Sequence, residues 1–462
     1  MTRGVRVKIS VIKTVNYLFI IHIRLSRLGK TSVSRAKMSV MVQVGTTNQK
    51  KEGNKMISIG IDIAKEKFTV CALDQGSKII WKPFDIHLKK TKVEEFLKKL
   101  DTLNEEVKIV MEATGKYHLP ILYELKDKGY FVTVVNPLKM KQFCRVLNFR
   151  KAKNDNIDAI QIAEYGLMYW KELQEYKIDS ESFIVLKELN RSYQHYMELR
   201  INQMNFIDQT VNQTFPGIKK LIPHSSGDFS KDKLLDFLEK WWHKNLVLEK
   251  PEEKFIEDFK NWAKEKRYHP NADKAKSIYK LAEESISTQP SSSSYIKTSI
   301  QEGIELIKHI NQILNTILSQ MVEIAEPLEE YQEAKKFSGI SDKLAVQITA
   351  EFGDLSKFKN KKSLISFVGI DSPPYESGNF KADQRKITKR GNAILRKVGY
   401  QAMKCMMSAK DQENEIYLYM VKKEKDGKAK KVCKFAGLNK FLRIYYAKVM
   451  ASKQEKKLFK VA

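Results

Sequence analysis

A strict alternation of apolar and non-apolar residues begins where Met56 opens the stretch ISIGIDIAKEKF. Isoleucine occupies every second position from 57 to 63, and Ser58, Gly60 and Asp62 lie between the isoleucines. A period of two is typical of a β-strand, because successive side chains point to opposite faces of a sheet. The stretch therefore predicts a strand with one aliphatic face and a second face that carries small residues and Asp62.

Four further segments with strand character follow: FTVCAL, KIIWKPF, VKIVMEA and FVTVVNP. Helices are predicted around residues 92–104 and in YHLPILYELKDKGY, and a last helix carries Asp155 and Asp158. The resulting order, βββαβαβα, is typical of a ribonuclease-H-like mixed sheet. We predict an α/β domain of this kind over residues 56–170.

Longer helices are predicted beyond this domain, over residues 171–331. Apolar residues recur at intervals of three and four in 183–214 and again in 300–324, which is the spacing of a coiled-coil seam. The two helices would form either an antiparallel coiled-coil arm or a seam between two protomers. Residues 223–287 between them are predicted to form a small helical insert.

Residues 332–450 predict a compact, mainly helical C-terminal domain. The segment KKFSGISDKLAVQITAEFGDLSKF has the order apolar helix, glycine-containing turn, apolar helix. This order is typical of a helix-hairpin-helix, whose turn can bind a phosphate through backbone N–H groups. A basic loop then leads into another helix, and residues 451–462 are predicted to be a basic tail.

Residues 1–55 differ from the rest of the chain, since they are basic, almost without acidic side chains and without a sustained hydrophobic period. We expect a leader that is disordered or dispensable, with translation beginning at Met38 or Met56. Its longest apolar run, YLFIIHI, is far shorter than the roughly 20 residues that span a bilayer. No membrane segment is therefore predicted.

The chain carries 83 Lys and Arg residues against 55 Asp and Glu, a formal net charge of +28. Such an excess favours a polyanionic partner, because each basic side chain that neutralises a phosphate releases a counterion. A basic membrane-surface protein would carry the same sign, so charge alone leaves both open. The four cysteines form no CxxC pair, which fits a reducing cytosol and argues against a disulfide framework or a structural zinc site.

Four carboxylates are candidates for metal chemistry. Asp62 interrupts a strand, where a charge is costly unless it is paired or bound to a cation, and its small neighbours would leave room for a metal and a substrate. Glu112 ends the strand VKIVMEA, and Asp155 and Asp158 share one helix face. Each alone has an ordinary explanation: Asp155 as a helix cap, Asp158 as a first-turn acid, Glu112 as a turn acid.

Together these acids supply the carboxylate oxygens that Mg²⁺ prefers, and two such ions about 3.5–4 Å apart can hold the attacking and leaving oxygens of a phosphodiester. Arg150, Lys151 and Lys153 directly precede Asp155. In the metal hypothesis these cations would steer a nucleic-acid backbone toward the ions. In the simpler hypothesis, the stretch from Arg150 to Asp158 is the solvent-exposed start of a helix and has no catalytic role.

Several blocks resemble the DEDD transposases of the insertion sequence 110 family. They are GIDIAKEKF, MEATGKYH and KNDNIDAIQIA, followed by GISDKLAVQITAEFGDLSKFKNKKSLISFVGI, PPYESGNF and KITKRGNAILRKVGYQA. The blocks cover about 56–215 and 295–410 in the family's order. The resemblance implies a RuvC-like N-terminal domain that binds Mg²⁺, or Mn²⁺ in its place, through four acids: Asp62, Glu112, Asp155 and Asp158.

The resemblance also implies a serine nucleophile, which maps onto Ser377 before Gly378 and becomes joined to DNA while a mobile element is excised and integrated. It implies further a structured guide RNA that pairs with donor and target double-stranded DNA, homo-oligomers (dimers or tetramers), and a nucleoid-associated place in a prokaryotic cytoplasm. A serine hydroxyl needs a base or a metal to activate it, and no histidine lies near Ser377 in the sequence. The metal-bound acids would then have to activate it, and the alternative is an ordinary ESG turn.

Basic side chains also flank the start of a C-terminal helix, where we expect phosphate or RNA contacts, with a solvated charged face as the simpler alternative. The basic residues are Lys386, Lys389, Arg390, Arg396 and Lys397, and Asn392 beside them is expected to contact the nucleic acid as well. The sequence as a whole predicts a DNA transposase and site-specific recombinase. Two rivals stay open: a metal-only nuclease of the Holliday-junction type, in which water attacks, and a catalytically inactive nucleic-acid-binding protein.

Overall fold

A computed structural model of the chain describes residues 56–113, 115–147, 154–225, 231–373, 376–377, 380–381 and 386–461. The expected leader, residues 1–55, lies outside the described residues. The chain forms two compact units that divide between Gln174 and Glu175.

Strands of the first unit form one mixed sheet: β1 Met56–Ile63, β2 Lys67–Asp74, β3 Ile79–His87, β4 Glu106–Glu112 and β5 Val132–Val135. Their order across the sheet is β3-β2-β1-β4-β5. β1 runs antiparallel to β2, and β2 to β3, whereas β4 runs parallel to β1 and β5 parallel to β4. This order and these directions confirm the predicted ribonuclease-H-like sheet.

Helices in the described part of this unit are α1 Lys90–Leu100, α2 Leu119–Asp127, α3 Pro137–Leu147 and α4 Asp155–Met168. The prediction of a single helix after the last strand is wrong, because α3 precedes α4. Its start signal is Asn136, whose side-chain oxygen accepts a hydrogen bond from the Leu138 N–H at 2.8 Å, followed by Pro137 as the first helical residue. The helix predicted at 92–104 also ends earlier, at Leu100.

Helix α4 lies directly against β1, and a glycine makes the contact possible. A Cβ atom on Gly60 would lie 2.2 Å from the Ala159 carbonyl oxygen and 2.4 Å from the Ala163 amide nitrogen. Two residues earlier in the strand, Ser58 Oγ donates a hydrogen bond to the Ala163 carbonyl at 2.8 Å. The space above Ser58 and Gly60 is therefore filled by α4, and the expectation that it would admit a metal and a substrate is wrong.

Replacing Gly60 with alanine is expected to lower the free energy of unfolding by roughly 1–3 kcal/mol, since the added methyl group forces α4 away from the strand. Gly76→Ala is the matched control, because a Cβ there meets only the Asp74 side chain, at 3.4 Å. Urea unfolding followed by circular dichroism measures both variants. Equal stability of the two would contradict the close packing of α4 on β1.

The second unit begins with two long helices and the helices between them: α5 Glu181–Thr214, α6 Ile218–Leu221, α7 Lys233–Lys240, α8 Lys244–Leu248, α9 Glu252–Glu265, α10 Ala272–Glu284 and α11 Ser294–Ala325. α5 and α11 pack along each other in opposite directions. A Cβ on Gly303 would lie 3.1 Å from Ile207 Cγ1, whereas the buried Arg200 donates a hydrogen bond from Nε to the buried Asn311 at 2.7 Å. The pair forms the antiparallel arm, one of the two arrangements predicted, within a single chain.

The helical insert between α5 and α11 has an aromatic core. Buried rings of Phe237, Trp241, Phe259 and Trp262 pack together, with the two indoles edge to face at a centroid distance of 5.5 Å. This core continues into apolar residues of α5 and α11, such as Ile207. The insert is therefore packed on the arm and shares its core.

The remaining elements are α12 Glu329–Lys335, α13 Asp342–Phe352, a 3-10 helix Leu355–Lys357, α14 Lys361–Val368, a hairpin of β6 Glu376–Ser377 and β7 Phe380–Lys381, α15 Ala393–Ala409, α16 Glu415–Lys425 and α17 Lys430–Val461. α12 and α13 form the predicted helix-hairpin-helix, with Gly339 in its turn at a left-handed φ of +85°. A Cβ on Gly339 would lie 2.8 Å from the Met406 amide nitrogen. The turn therefore packs closely on α15.

Residues of the predicted basic tail continue α17 as far as Val461. Among them, Lys453 pairs with Glu330 at 2.5 Å and with Asp354 at 2.6 Å, so this part of the chain is tied to α12 and to the loop after α13. No helix in the described ranges is long and apolar enough to cross a membrane. All four cysteines are free thiols.

Candidate metal centre

Asp62 and Glu112 lie side by side at one edge of the sheet of the first unit. β1 and β4 run parallel with Ile61 opposite Met111, so the next residue is Asp62 on one strand and Glu112 on the other. Both side chains are half-buried. Because the carboxyl ends of parallel strands meet at the same edge of a sheet, two acids that are far apart in the sequence become neighbours.

Helix α4 runs back along β1 and brings its first turn to the same edge. A Cβ on Gly166 would lie 2.1 Å from Ser58 Oγ, while Ala159 lies over Gly60. Earlier residues of the helix thus lie over later residues of the strand. The turn before Ala159 accordingly reaches Asp62, the next residue on the same face of β1.

That first turn contains Asp155 and Asp158. The N-cap is Asn154, whose side chain accepts a hydrogen bond from the Asn156 N–H at 3.0 Å. The alternative that Asp155 caps the helix is therefore wrong. Asp155 is exposed and Asp158 half-buried.

The electrostatics of Asp62 show that the four acids belong to one group. Burial is the largest cause of a raised pKa at Asp62, and repulsion from Asp158, Asp155 and Glu112 follows in that order; together they raise it from its ordinary 3.8 to about 6. We refer to Asp62, Glu112, Asp155 and Asp158 as the carboxylate cluster. It concentrates negative charge at a half-buried position, which only protons or cations can neutralise.

The carboxylate cluster fits a hard divalent cation by charge and by donor type, since Mg²⁺ and Mn²⁺ prefer carboxylate oxygens. Across the described ranges, however, no three His, Cys, Asp or Glu side chains are arranged to hold an ion as they stand. The two observations agree, because carboxylates that repel one another spread apart until a cation neutralises them. Binding of an ion here requires the side chains to close around it.

A lysine bridges the carboxylate cluster to a fifth acid. Lys67 Nζ lies 2.6 Å from Asp85 Oδ2 and 3.1 Å from Asp155 Oδ2. Thr69 Oγ1 donates a hydrogen bond to the other Asp85 oxygen at 2.7 Å. The hydrogen bond from Lys67 lowers the pKa of Asp85, and the same bond is the main cause that raises the pKa of Lys67. Lys67 thus holds the exposed Asp155 carboxylate beside the sheet.

Sequence reasoning missed Lys67 and Asp85, although their positions carry a signal. Thr69 lies opposite Asp62 on β2, and Asp85 lies opposite Thr69 on β3. Polar residues at matching positions of three adjacent strands form a row across one face of the sheet. The row is visible only once the strand register is known, because β2 and β3 each look like an ordinary amphipathic strand.

The remaining predicted active-site residues are only partly described. Arg150, Lys151 and Lys153 lie outside the described residues, as does Gly378. Ser377 ends β6, and its backbone pairs with Phe380 of β7. It belongs to the second unit, whereas the carboxylate cluster belongs to the first.

Two residues of the predicted basic flank have bonds within the fold. Asn392 caps α15 by accepting a hydrogen bond from the Leu395 N–H at 3.1 Å, and it donates one to the buried Glu351 at 2.5 Å. Arg396 donates hydrogen bonds to the backbone carbonyls of Val368 at 2.9 Å and Gly391 at 2.7 Å. These bonds fix the loop before α15, and contact of either residue with nucleic acid stays a prediction.

Lys386, Lys389 and Arg390 of the same flank are exposed. Their side chains are therefore accessible to a phosphate, which is what the prediction requires of them. Binding itself stays a prediction for these three residues.

Comparisons with known proteins point to one family. A family model described as "Transposase" matches residues 59–216, and a second, described as "Transposase IS116/IS110/IS902 family", matches residues 331–418. No match is found among curated proteins. Two solved structures from Thermus thermophilus, RuvC alone and RuvC in complex with a Holliday junction substrate, are 12% and 11% identical with TM-scores of 0.20 and 0.19. Each alignment covers 25% of this chain and 96% of the RuvC chain, a likeness too slight to add to the topology.

Asp62→Asn is expected to stabilise the cation-free protein at neutral pH. The pKa of Asp62 is about 6 in the folded chain against 3.8 ordinarily, so stability contributed by its bound proton is lost as pH rises through this interval. In EDTA the variant should gain about 1 kcal/mol at pH 7.5, a value discounted for solvent screening of a half-buried group, and little near pH 4. Urea unfolding at both pH values measures the gain.

Glu66→Gln, an exposed acid in the turn after β1, is the control for this experiment and should show no such gain. Adding Mg²⁺ should stabilise the wild type more than Asp62→Asn, because a ligand that binds only the folded state adds stability by mass action. An Asp62→Asn gain of equal size at both pH values would contradict the assigned repulsion.

Proposed function

The chain belongs to the transposase family of IS116, IS110 and IS902, and on this premise we propose that this DNA transposase cuts and rejoins DNA with divalent cations at its carboxylate cluster and a serine nucleophile. The observation that carries the proposal is geometric: Asp62 and Glu112 end neighbouring parallel strands, and the first turn of α4, with Asp155 and Asp158, lies above Asp62. Residues from two strands and one helix meet at this point. A polyanionic cluster of this kind suits phosphodiester chemistry with divalent ions.

The carboxylate cluster has a fixed side and an adjustable side. Asp62 and Glu112 end neighbouring strands of the sheet, so their backbones are held by the strand register. Asp155 is exposed on a helix turn and is held at 3.1 Å by Lys67. When bound here, Mg²⁺ or Mn²⁺ would polarise a phosphoryl oxygen and neutralise charge that develops on the scissile phosphate. Closure around the ion would then rest mainly on Asp155 and its lysine.

Ser377 is proposed as the nucleophile. Its oxygen would form a bond to phosphorus while the bond from phosphorus to a deoxyribose oxygen breaks; the serine proton leaves to a base, and the released DNA oxygen takes up a proton. The covalent ester conserves the phosphodiester bond energy for rejoining. Ser377 is the last residue of β6, and its backbone pairs with Phe380 of β7.

The proposed partners are double-stranded DNA at the donor ends and the target, and a structured guide RNA. The net charge of +28 supports polyanionic partners of this kind. We infer further that the protein acts as a homo-oligomer, a dimer or a tetramer, associated with the nucleoid of a prokaryotic cell. These inferences follow from the family and are open to direct measurement.

A metal-only nuclease is the second candidate, because the carboxylate cluster lies entirely in the first unit while Ser377 lies in the second. Water could then attack the phosphate without a covalent intermediate. The two mechanisms differ in one observable species, the protein–DNA adduct.

Ser377→Ala is expected to abolish a covalent protein–DNA adduct that the wild type forms in Mg²⁺, because the alanine has no oxygen to bond to phosphorus. Ser366→Ala, an exposed serine on α14, is the matched control. Asp62→Asn should slow cleavage on the order of 10²–10³-fold. The probe is duplex DNA that flanks the coding region, mixed with RNA transcribed from the same flank, and denaturing gels separate the products.

Three results would contradict the proposal in different ways. An undiminished adduct in Ser377→Ala refutes the serine role. Cleavage without any adduct supports the metal-only nuclease. If EDTA changes nothing but DNA affinity, the chain is a binding protein and neither mechanism holds.

A further inference from the structure

The second unit contains a cavity of about 890 Å³ where α16, α17 and the loop before α15 meet. Its lining includes Ile370, Lys386, Lys389, Tyr419, Phe435 and Arg443. Cavities of roughly 300–1,000 Å³ are the size that holds a small organic ligand in proteins. The proposed catalytic chemistry does not use this cavity.

The apolar part of the lining is built around an aromatic ring. Phe435 packs against Tyr400 with the ring centroids 5.5 Å apart and the planes 30° from parallel, so its ring orientation is fixed. Ile387 and Val432 line the same cavity, and Val432 is 56% exposed, a large value for an aliphatic side chain beside a cavity. A fixed ring with aliphatic neighbours is a surface on which a planar heterocycle can stack.

The polar part of the lining is positive. Lysine and arginine contribute six of the lining residues, and no acid is among those that the structure describes. Lys386, Lys389 and Lys431 make no ion pair with any residue that the structure describes, whereas Lys440 pairs with Glu415 at 3.0 Å. Three ammonium groups without an ion pair in the described ranges, beside an apolar cavity, favour an anionic ligand with an apolar body.

The loop that carries two of these lysines is held in one conformation. Lys389 has a left-handed φ of +56°, which costs a non-glycine residue on the order of 1 kcal/mol. Its N–H donates a hydrogen bond to the Gly369 carbonyl at 3.0 Å. A Cβ on Gly391 would lie 2.2 Å from the Phe367 carbonyl oxygen, so the backbone of the loop before α15 contacts the backbone of α14. The rim of the cavity is therefore pre-organised.

The chain segment that carries Ser377 departs from this rim. Ser372 and Lys386, on either side of the segment, both line the cavity. Next to them, Thr388 donates hydrogen bonds from its N–H to the Asp371 carbonyl at 3.0 Å and from Oγ1 to the Asp371 carboxylate at 2.6 Å. These hydrogen bonds hold the two ends of the segment together beside the cavity.

We propose that this cavity takes one unstacked nucleotide of a single-stranded nucleic acid, with its base on Phe435 and its phosphate on Lys389 and Lys431. The proposal deepens the proposed function and rests on it for the presence of nucleic acid. A duplex does not present an isolated base, whereas a single strand or a loop can splay one out onto an aromatic side chain. RNA and DNA share the recognised chemistry, and the experiment separates them.

Fluorescence anisotropy of the full chain tests the proposal, with EDTA present so that no cleavage occurs. The probes are labelled single-stranded 10-mers of RNA and of DNA and a blunt-ended DNA duplex, which has no unpaired base. Phe435→Leu is expected to weaken single-strand affinity about 5- to 100-fold and to leave duplex affinity unchanged, because it removes the stacking ring alone. Unequal effects on RNA and DNA identify which strand the cavity takes.

The double variant Lys389→Gln, Lys431→Gln should weaken binding of the same single strand and reduce the slope of log K against log salt by about 0.7 for each lost phosphate contact. Lys276→Gln, Lys280→Gln on α10 is the matched control, since it removes two exposed charges away from the cavity. Probes with 5-iodouracil should crosslink to Tyr419 or Phe435. Circular dichroism melts verify that each variant folds.

The proposal is overturned if Phe435→Leu affects the blunt duplex and the single strands equally or affects neither, if the two double variants behave alike, or if crosslinks fall elsewhere. A free mononucleotide that binds as tightly as the 10-mer would also overturn it, in favour of a small-molecule site. Because EDTA removes the divalent cations that the proposed cleavage requires, these binding results are independent of catalysis. A chain that binds single strands as described but never cleaves DNA in Mg²⁺ refutes the mechanism and leaves the cavity assignment standing.

Discussion

The candidate centre depends on the contact between the backbone of α4 and the bare face of β1 at Gly60. With any side chain at this position the helix would stand further from the sheet, since a Cβ would lie 2.2 Å from the Ala159 carbonyl oxygen. The contact sets both the distance and the position of the helix along the strand. Asp62 follows Gly60 on the same face, and the first turn of α4 lies above it. The four acidic residues are brought to the same end of β1 because two backbones touch.

The four acids of the carboxylate cluster repel one another, and this repulsion has an electrostatic cost. Asp62 keeps its proton to about pH 6 because of burial and of three neighbouring negative charges. Lys67 offsets some of the charge, but it is shared with Asp85 outside the cluster. The concentration of four carboxylates favours binding of a cation from solution. The second unit has the opposite character at its cavity, where six basic residues, and no acid of the described part of the chain, line the wall around an apolar floor.

Local patterns predicted the sheet well, because alternation in the isoleucine-rich strand and its neighbours reports the two faces of a strand directly. They also marked the arm, since α5 and α11 keep a regular apolar spacing over their length. The prediction missed α3, whose start at Asn136 and Pro137 follows β5 without an intervening loop. The predicted strand FVTVVNP extends over Asn136 and Pro137, which start the helix, and no element is predicted between it and α4.

The four acids of the candidate site were predictable from the sequence, but the residues that pack and hydrogen-bond around them were not. The small residues Ser58 and Gly60 gave a correct signal of close approach, but the partner was a helix and not a substrate. Lys67 and Asp85 became visible only through the register of β1, β2 and β3, which no local pattern contains. The sequence identifies which residues can carry out the chemistry, but it does not show which residues from distant parts of the chain contact them.

The bonded pair of Arg200 and Asn311 restricts how the arm can change in length. Sliding α5 by one turn against α11 would strand a buried guanidinium without its amide acceptor, an arrangement that costs several kcal/mol. At 1.5 Å per residue, the 34 residues of α5 span about 50 Å, and the Arg200–Asn311 hydrogen bond fixes the register of α5 against α11 along this length. An insertion in one helix alone would shift that register and break the hydrogen bond. Relatives with longer or shorter arms are therefore expected to have gained or lost whole turns in both helices together, on the same side of this pair.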